Sequence, residues 1–153
     1  MSIKNAIKLF FTQYLNFSGR SSRSEYWFAQ LFIHISSITL ISFLIIFSIQ
    51  NNFPILTVIF ALIFIIPSIS LSFRRLHDIN KSGLWFFAPL IPTIIPGLAF
   101  DILTLFLDIV LIYWYCQPGI SSENKYGPNP LTLLNLINDK YDSEEKNIWD
   151  ENK

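Results

Sequence analysis

The chain has 153 residues and no net charge, because eleven Lys and Arg balance eleven Asp and Glu. Hydrophobic residues make up 52% of it and charged residues only 14%, against roughly 25% charged in a soluble domain. This composition offers no basic field to draw nucleic acid and too few charges to wet the whole surface of a soluble globule, and the length suits one domain.

Residues 1–18 come first. Ile3, Ile7, Phe10, Tyr14 and Phe17 recur at spacings of three and four, which predicts an amphipathic helix lying in a membrane interface. The alternative is a helix packed on other segments of the same side. Gly19–Trp27 reads as a turn followed by a helix start, with Ser22 or Ser24 as the cap and Tyr26 and Trp27 in an interfacial aromatic belt. No Asp, Glu, Lys or Arg occurs from Tyr26 through Phe73. A spanning helix needs about 20 apolar residues, so this stretch holds two spans, at 27–49 and 54–73. The turn between them is Gln50-Asn51-Asn52, and Pro67 kinks the second span.

Arg74–Gly83 reads as a polar loop. Residues 84–116 are too many for one straight span and few for two. Pro89, Pro92, Pro96 and Gly97 interrupt their first half, and Asp101 and Asp108 their second. The favoured arrangement is a hairpin of two short spans, 84–98 and 102–116. The alternative is a half-inserted or surface segment to about Pro96, followed by one span. Pro118-Gly119, Gly127-Pro128 and Pro130 break regular structure after Gln117. Leu131–Ile137 allows one short helix. Residues 131–153 form a polar tail, which the charge-rich end predicts to be disordered. The expected fold is therefore all-α and integral to the membrane: an interfacial helix, three to four spans with four favoured, and one domain over residues 1–130.

Lys4, Lys8, Arg20 and Arg23 precede the first span, and Arg74, Arg75 and Lys81 follow the second, while the turn between has no cation. The positive-inside rule then puts the N-terminus in the cytoplasm. A hairpin at 84–116 returns the tail to that side and a single span does not. No short apolar segment is followed by a small-residue cleavage site, so the first span is expected to act as an uncleaved anchor.

Three motifs stand in order between the apolar runs. They are Asn16–Trp27, then Arg74-Arg75-Leu76-His77-Asp78 with Asn80, Ser82-Gly83 and Trp85, then Asn124-Lys125-Tyr126-Gly127-Pro128-Asn129-Pro130. Taken together over residues 5–130, they resemble the bacterial inner-membrane family called domain of unknown function 805. The resemblance implies a location and an architecture without a chemistry. The stretch from Gly97 to Cys116 looks longer than the family pattern, and the tail after Pro130 lies outside it.

The candidate residues fall in two places. Arg20, Arg23, Glu25, Arg74, Arg75, His77, Asp78, Asn124 and Tyr126 flank the spans. If the tail is cytoplasmic they share one face as a polar cap, with Arg20 or Arg23 paired to Asp78 or Glu25. Arginine suits phosphate or carboxylate oxygens because its planar fork matches them. The blander account is topogenic, with arginines holding the span ends inside. A histidine side chain can titrate near neutral pH, and Asp78 could orient His77 or bind a cation, yet general-base catalysis needs a nucleophile or a held water that no motif supplies. Gly127 permits positive φ and its flanking prolines stiffen the turn. Asp108 is the second place. A carboxylate inside lipid costs roughly 2.5–3.5 kcal/mol on insertion scales, which marks it for function, and His34 is its nearest candidate partner. Asp101 is expected in the turn at the outer interface.

His34, His77 and Cys116 lack ligand spacing, so no metal site or cofactor is expected, and no phosphate-binding Gly-rich loop is present. The expected partners are membrane lipids, a second copy or another membrane protein, and not nucleic acid. The leading functional reading is a structural or accessory protein of the bacterial inner membrane whose arginine-rich cap contacts lipid headgroups or a partner. The alternative is an oligomeric transporter or channel component using Asp108. A membrane enzyme using His77 and Asp78 comes third.

Overall fold

The computed structural model describes residues 1–46, 53–132 and 135. The predicted turn at 50–52 and nearly all of the 131–153 tail lie outside the described residues. The α-helices named among the described residues are α1 (Ile3–Thr12), α2 (Arg23–Ile46), α3 (Phe53–Asp78) and α4 (Leu98–Cys116). Two 3-10 segments, Gly83–Leu90 and Pro92–Ile94, join α3 to α4 as an apolar arm. No strand occurs among the described residues beyond one isolated bridge between Asn124 and Gly127. Three helices, α2, α3 and α4, are long and apolar enough to cross a membrane.

Where the favoured hairpin has short spans at 84–98 and 102–116, the structure has this arm over 83–94 and one 19-residue helix that already begins at Leu98. The prolines explain the change. Each lacks the N–H that an α-helix needs four residues on, so the arm closes i to i+3 turns instead, such as Ile91 N–H to the Ala88 carbonyl. A 3-10 turn rises about 2 Å per residue, so the twelve residues 83–94 reach about 24 Å. The 19 residues of α4 cover about 28 Å at 1.5 Å each. The chain thus leaves the end of α3, runs along α4 and returns through it to the same end of the molecule.

α3 also runs further than expected, because Arg74–Asp78 forms its final turns rather than a loop. It stops where Asn80 adopts a positive φ of 60°. α2 starts at Arg23, and the Ser22 hydroxyl accepts from Glu25 N–H at 3.3 Å, a side-chain cap for its first turn. α1 is amphipathic as predicted. Its Ala6 and Phe10 are buried, and it lies along α2 and α3. Phe10 stacks on Phe64 at 6.1 Å, and Phe11 meets Phe32 edge-on. The Tyr14 hydroxyl donates to the Leu62 carbonyl in α3 at 3.0 Å. Ser70 of α3 donates to the Asn16 carbonyl at 2.5 Å and ties the end of this segment down.

Burial is uneven along the bundle. From Ser70 to Asp78 every residue of α3 except Phe73 is buried, together with Tyr26 and Ala29 of α2 and Leu111 and Tyr115 of α4. Between Ile55 and Ile66 of α3, and between Leu98 and Val110 of α4, none is. Tyr26 and Tyr115 stack at 4.5 Å just beneath the buried end and join α2 to α4 there.

Candidate functional site

The buried end is a polar cap built on the last turns of α3. Three and four residues along a helix share a face, so Arg75 and Asp78 meet and form an ion pair at 2.7 Å through Asp78 Oδ2. Asp78 Oδ1 takes Arg20 from the loop before α2, with Nε and Nη2 both at 2.9 Å. Each carboxylate oxygen thus holds one guanidinium. The remaining donors of those two arginines go to backbone carbonyls. Arg75 Nε donates to Tyr115 O at 3.1 Å, and its Nη2 to Gln117 O. Arg20 Nη1 donates to Ser122 O at 2.8 Å and Gly127 O at 3.2 Å, and its Nη2 to Ile120 O.

These carbonyls follow α4, so Asp78 and its arginines fasten the returning chain to α3. The backbone reinforces the join: Ile120 N–H donates to Asp78 O at 3.0 Å. Gly119 is needed for this approach. A Cβ there would lie 1.9 Å from Asp78 Oδ2, well inside contact distance. Ser21 N–H donates to Arg74 O at 3.0 Å and fixes the loop before α2 on the other side.

A second pair lies beside the first. Arg74 Nη1 donates to Glu25 Oε1 at 2.7 Å and joins α3 to the first turn of α2. Arg74 Nε and Nη2 have no partner among the described residues. A buried donor left unpaired costs roughly 1–3 kcal/mol, so this pair is the weaker of the two joints. All five groups are removed from water: Arg75 is 0% exposed, Arg74 1%, Glu25 and Asp78 3% each, and Arg20 8%.

The third motif closes over the top. Tyr126 stacks face to face on His77 at 3.7 Å with the rings 5° from parallel. Asn124 Nδ2 donates to the His77 carbonyl at 2.9 Å. His77 Nδ1 lies 3.1 Å from the Gly19 carbonyl and donates to it. The turn holds itself with reciprocal bonds between Asn124 and Gly127, whose φ is 122°.

The structure therefore brings together Arg20, Glu25, Arg74, Arg75, His77, Asp78, Asn124 and Tyr126. The expected Arg20–Asp78 pairing forms, and Glu25 takes Arg74. Arg23 stands apart. It is exposed, it pairs with no carboxylate among the described residues, and its Nη1 makes a long 3.4 Å bond to the Cys116 carbonyl. It borders a cleft of about 620 Å³ with Ser24, Trp27, Gly119, Ser121 and Asn129. Asp108 is remote from the cap and exposed on α4, and no ion pair joins it to His34 among the described residues.

Sequence reasoning missed Gly119 and the carbonyls of Tyr115, Gln117, Ile120 and Ser122, which contact the cap. Pro118-Gly119 carried a signal, a glycine close after a span, but it pointed to chain breaking and not to close approach. No cluster of three or more metal-ligating side chains occurs among the described residues.

The model of the family described as a protein of unknown function, DUF805, matches residues 14–128. The inner membrane protein YhaI of Escherichia coli K12 is 32% identical over 120 residues, covering 76% of this chain and 87% of that protein. The inner membrane protein YhaH of the same strain is 32% identical over 122 residues, covering 76% and 88%. No solved structure matches. The matched segment runs from Tyr14 to Pro128, from the end of the α1 region to the turn that closes over His77, and the chain belongs to the DUF805 family of membrane proteins.

Proposed function

We propose that this protein is a non-catalytic accessory component of the bacterial inner membrane, with its cap on the cytoplasmic side and its Arg23 cleft seated on an anionic lipid headgroup. The observation that carries the reading is the division of the four arginines. Arg20, Arg74 and Arg75 are buried and spent on carboxylates and carbonyls, so they serve as joints between helices. Arg23 is left exposed beside Trp27, in the position of an interfacial aromatic. Arg23 is the cation that lines the cleft, and the cleft's carboxylate, Asp78, is already occupied by Arg20 and Arg75, so Arg23 is the charge left for a phosphate oxygen.

Orientation rests on the cations. No Lys or Arg lies between Arg23 and Arg74, or between Lys81 and Lys125. The cap end thus holds Arg20, Arg23, Arg74, Arg75, Lys81 and Lys125, six of the eight cations of residues 1–125, and the positive-inside rule favours that end in the cytoplasm. The cap also favours a non-catalytic role. His77 lies under Tyr126 and both Asp78 oxygens are occupied, which leaves no free acid–base pair facing a substrate.

The test is the lipid bound to purified protein in bilayer discs of mixed anionic and neutral phospholipid. Arg23→Ala should lower the enrichment of anionic lipid several-fold while the thermal midpoint holds. Equal enrichment in wild type and variant would overturn the headgroup reading. A terminal reporter active only outside the cytoplasm should stay silent at the N-terminus, and a signal there would reverse the orientation. The second reading, a transport component, is favoured by one observation: Asp108 borders a cleft of about 440 Å³ between α4 and the arm. It requires Asp108→Asn to abolish flux in vesicles.

A further inference from the structure

Asp108 and His34 are ionisable side chains within the spans that the cap does not use. Asp108 is the eleventh residue of α4, exposed, on a wall otherwise made by Phe86, Leu90, Leu111 and Ile112. A carboxylate there meets acyl chains unless something covers it. His34 of α2 is also exposed. Its Nδ1 donates to the Gln30 carbonyl at 2.6 Å, which fixes the tautomer and leaves Nε2 as a free acceptor in the neutral ring.

The two lie at one depth. The stacked Tyr26 and Tyr115 mark a common level on α2 and α4. His34 is eight residues beyond Tyr26 and Asp108 seven before Tyr115, which at 1.5 Å per residue puts them about 12 Å and about 10 Å below that level. They also share a front. Trp27 and Cys116 line the same cleft at the cap. His34 lies seven residues from Trp27 on the same face of α2, and Asp108 lies on the α4 face beneath Ile112, one turn below Cys116.

We infer that a second copy of this chain packs on the front between α2 and α4, with His34 of each copy meeting Asp108 of the other. A two-fold axis along the membrane normal preserves depth and makes every contact reciprocal, so groups at one level on one front satisfy each other twice. α2 and α4 run in opposite directions along the bundle. One turn towards the cap, Leu31 therefore faces Ile112 of the partner subunit. One turn away, Ile38 faces Leu105 of the partner subunit. All four are exposed in the single chain. The polar pair holds one proton between its two groups, either on Asp108 and donated to Nε2, or on the imidazole and donated to the carboxylate. Both forms are neutral overall, which suits an acyl environment. The inference is independent of the headgroup reading, because it uses neither Arg23 nor the cap.

The experiment replaces Cys116 by Ser, so that only introduced thiols react. One tagged copy then carries Leu31→Cys and a differently tagged copy Ile112→Cys, and both are co-expressed and oxidised in membranes. A mixed disulfide dimer is expected, falling on the order of tenfold when Asp108→Ala is added to both copies, as the loss of two interhelical hydrogen bonds allows. Three outcomes overturn the inference: no mixed dimer, a dimer indifferent to Asp108→Ala, or cross-linking of Leu31→Cys to a different protein. Wild-type protein labelled at Cys116 and diluted in vesicles gives a reading that needs no variant. Two photobleaching steps per particle are expected, and one step at every lipid ratio also overturns it.

Discussion

The cap end and the far half of the spans are made by the same helices and held by different forces. At the cap, Ser70–Asp78 is buried almost without a break and its side chains are tied to three other segments. In the far half, α3 from Ile55 to Ile66 has no fully buried residue: Phe64 packs on Phe10 of α1, while Ile55, Val58, Ile59 and Leu62 point outwards. Lipid chains are as apolar as these side chains, so the hydrophobic effect does not draw the spans together. Directional polar bonds at one end do that work, and the far half is left to lipid or to a second chain.

The sharpest way to break the contrast is Asp78→Ala. It leaves the Arg20 and Arg75 guanidiniums buried without their counter-ion, and removing one partner of a buried pair costs roughly 3–5 kcal/mol. We expect the largest fall in unfolding midpoint in mild detergent and a matching fall in abundance. A variant as stable as wild type would show that the cap does not hold the bundle. Gly119→Ala should come next, at about 2–3 kcal/mol, the upper part of the overpacking range, because the new Cβ lands on Asp78 Oδ2. Its signature is protease cleavage after Cys116 at a rate above wild type, as the chain after α4 lifts away.

Smaller effects sharpen the comparison from both sides. Tyr126→Ala removes the ring stacked on His77 and should cost about 0.5–1.5 kcal/mol, while Tyr126→Phe keeps the stack and should behave as wild type in the same melt. Ile59→Ala in the far half removes a lipid-facing side chain and should change stability by less than about 0.5 kcal/mol. A loss at Ile59 comparable to that at Asp78 would erase the distinction between the two regions.

Much of this was legible before any coordinates. The charge-free run from Tyr26 to Phe73 demanded two apolar spans, and the period of Ile3, Ile7, Phe10, Tyr14 and Phe17 predicted a helix, of which Ile3–Thr12 forms with Phe10 and Ala6, not Ile3, buried. The three motifs held most of the cap residues, and of the pairings they left open, Arg20 or Arg23 with Asp78 or Glu25, Arg20 with Asp78 is the one that forms. The region after Lys81 was read less well. Pro89, Pro92 and Pro96 were rightly taken as interruptions, but hydropathy does not distinguish a short α-helix from a 3-10 arm of greater rise per residue. Arg74–Asp78 was read as a loop because charged residues after a span usually leave the helix. Here they stay in it, since their partners arrive from 49 to 58 residues away in the chain.

The amino-acid sequence alone determined that the chain lives in a membrane, where its first two apolar runs lie and which residues carry its charge, because those follow from composition and period. Only the tertiary structure decided that three of the four cap arginines are inward joints and that Arg23 alone among them faces out. It also decided that Gly119 is a contact and that Asp108 and His34 share a level. Pairing depends on where separate segments meet, and a buried arginine and an exposed one are the same letter until the fold supplies or withholds a carboxylate.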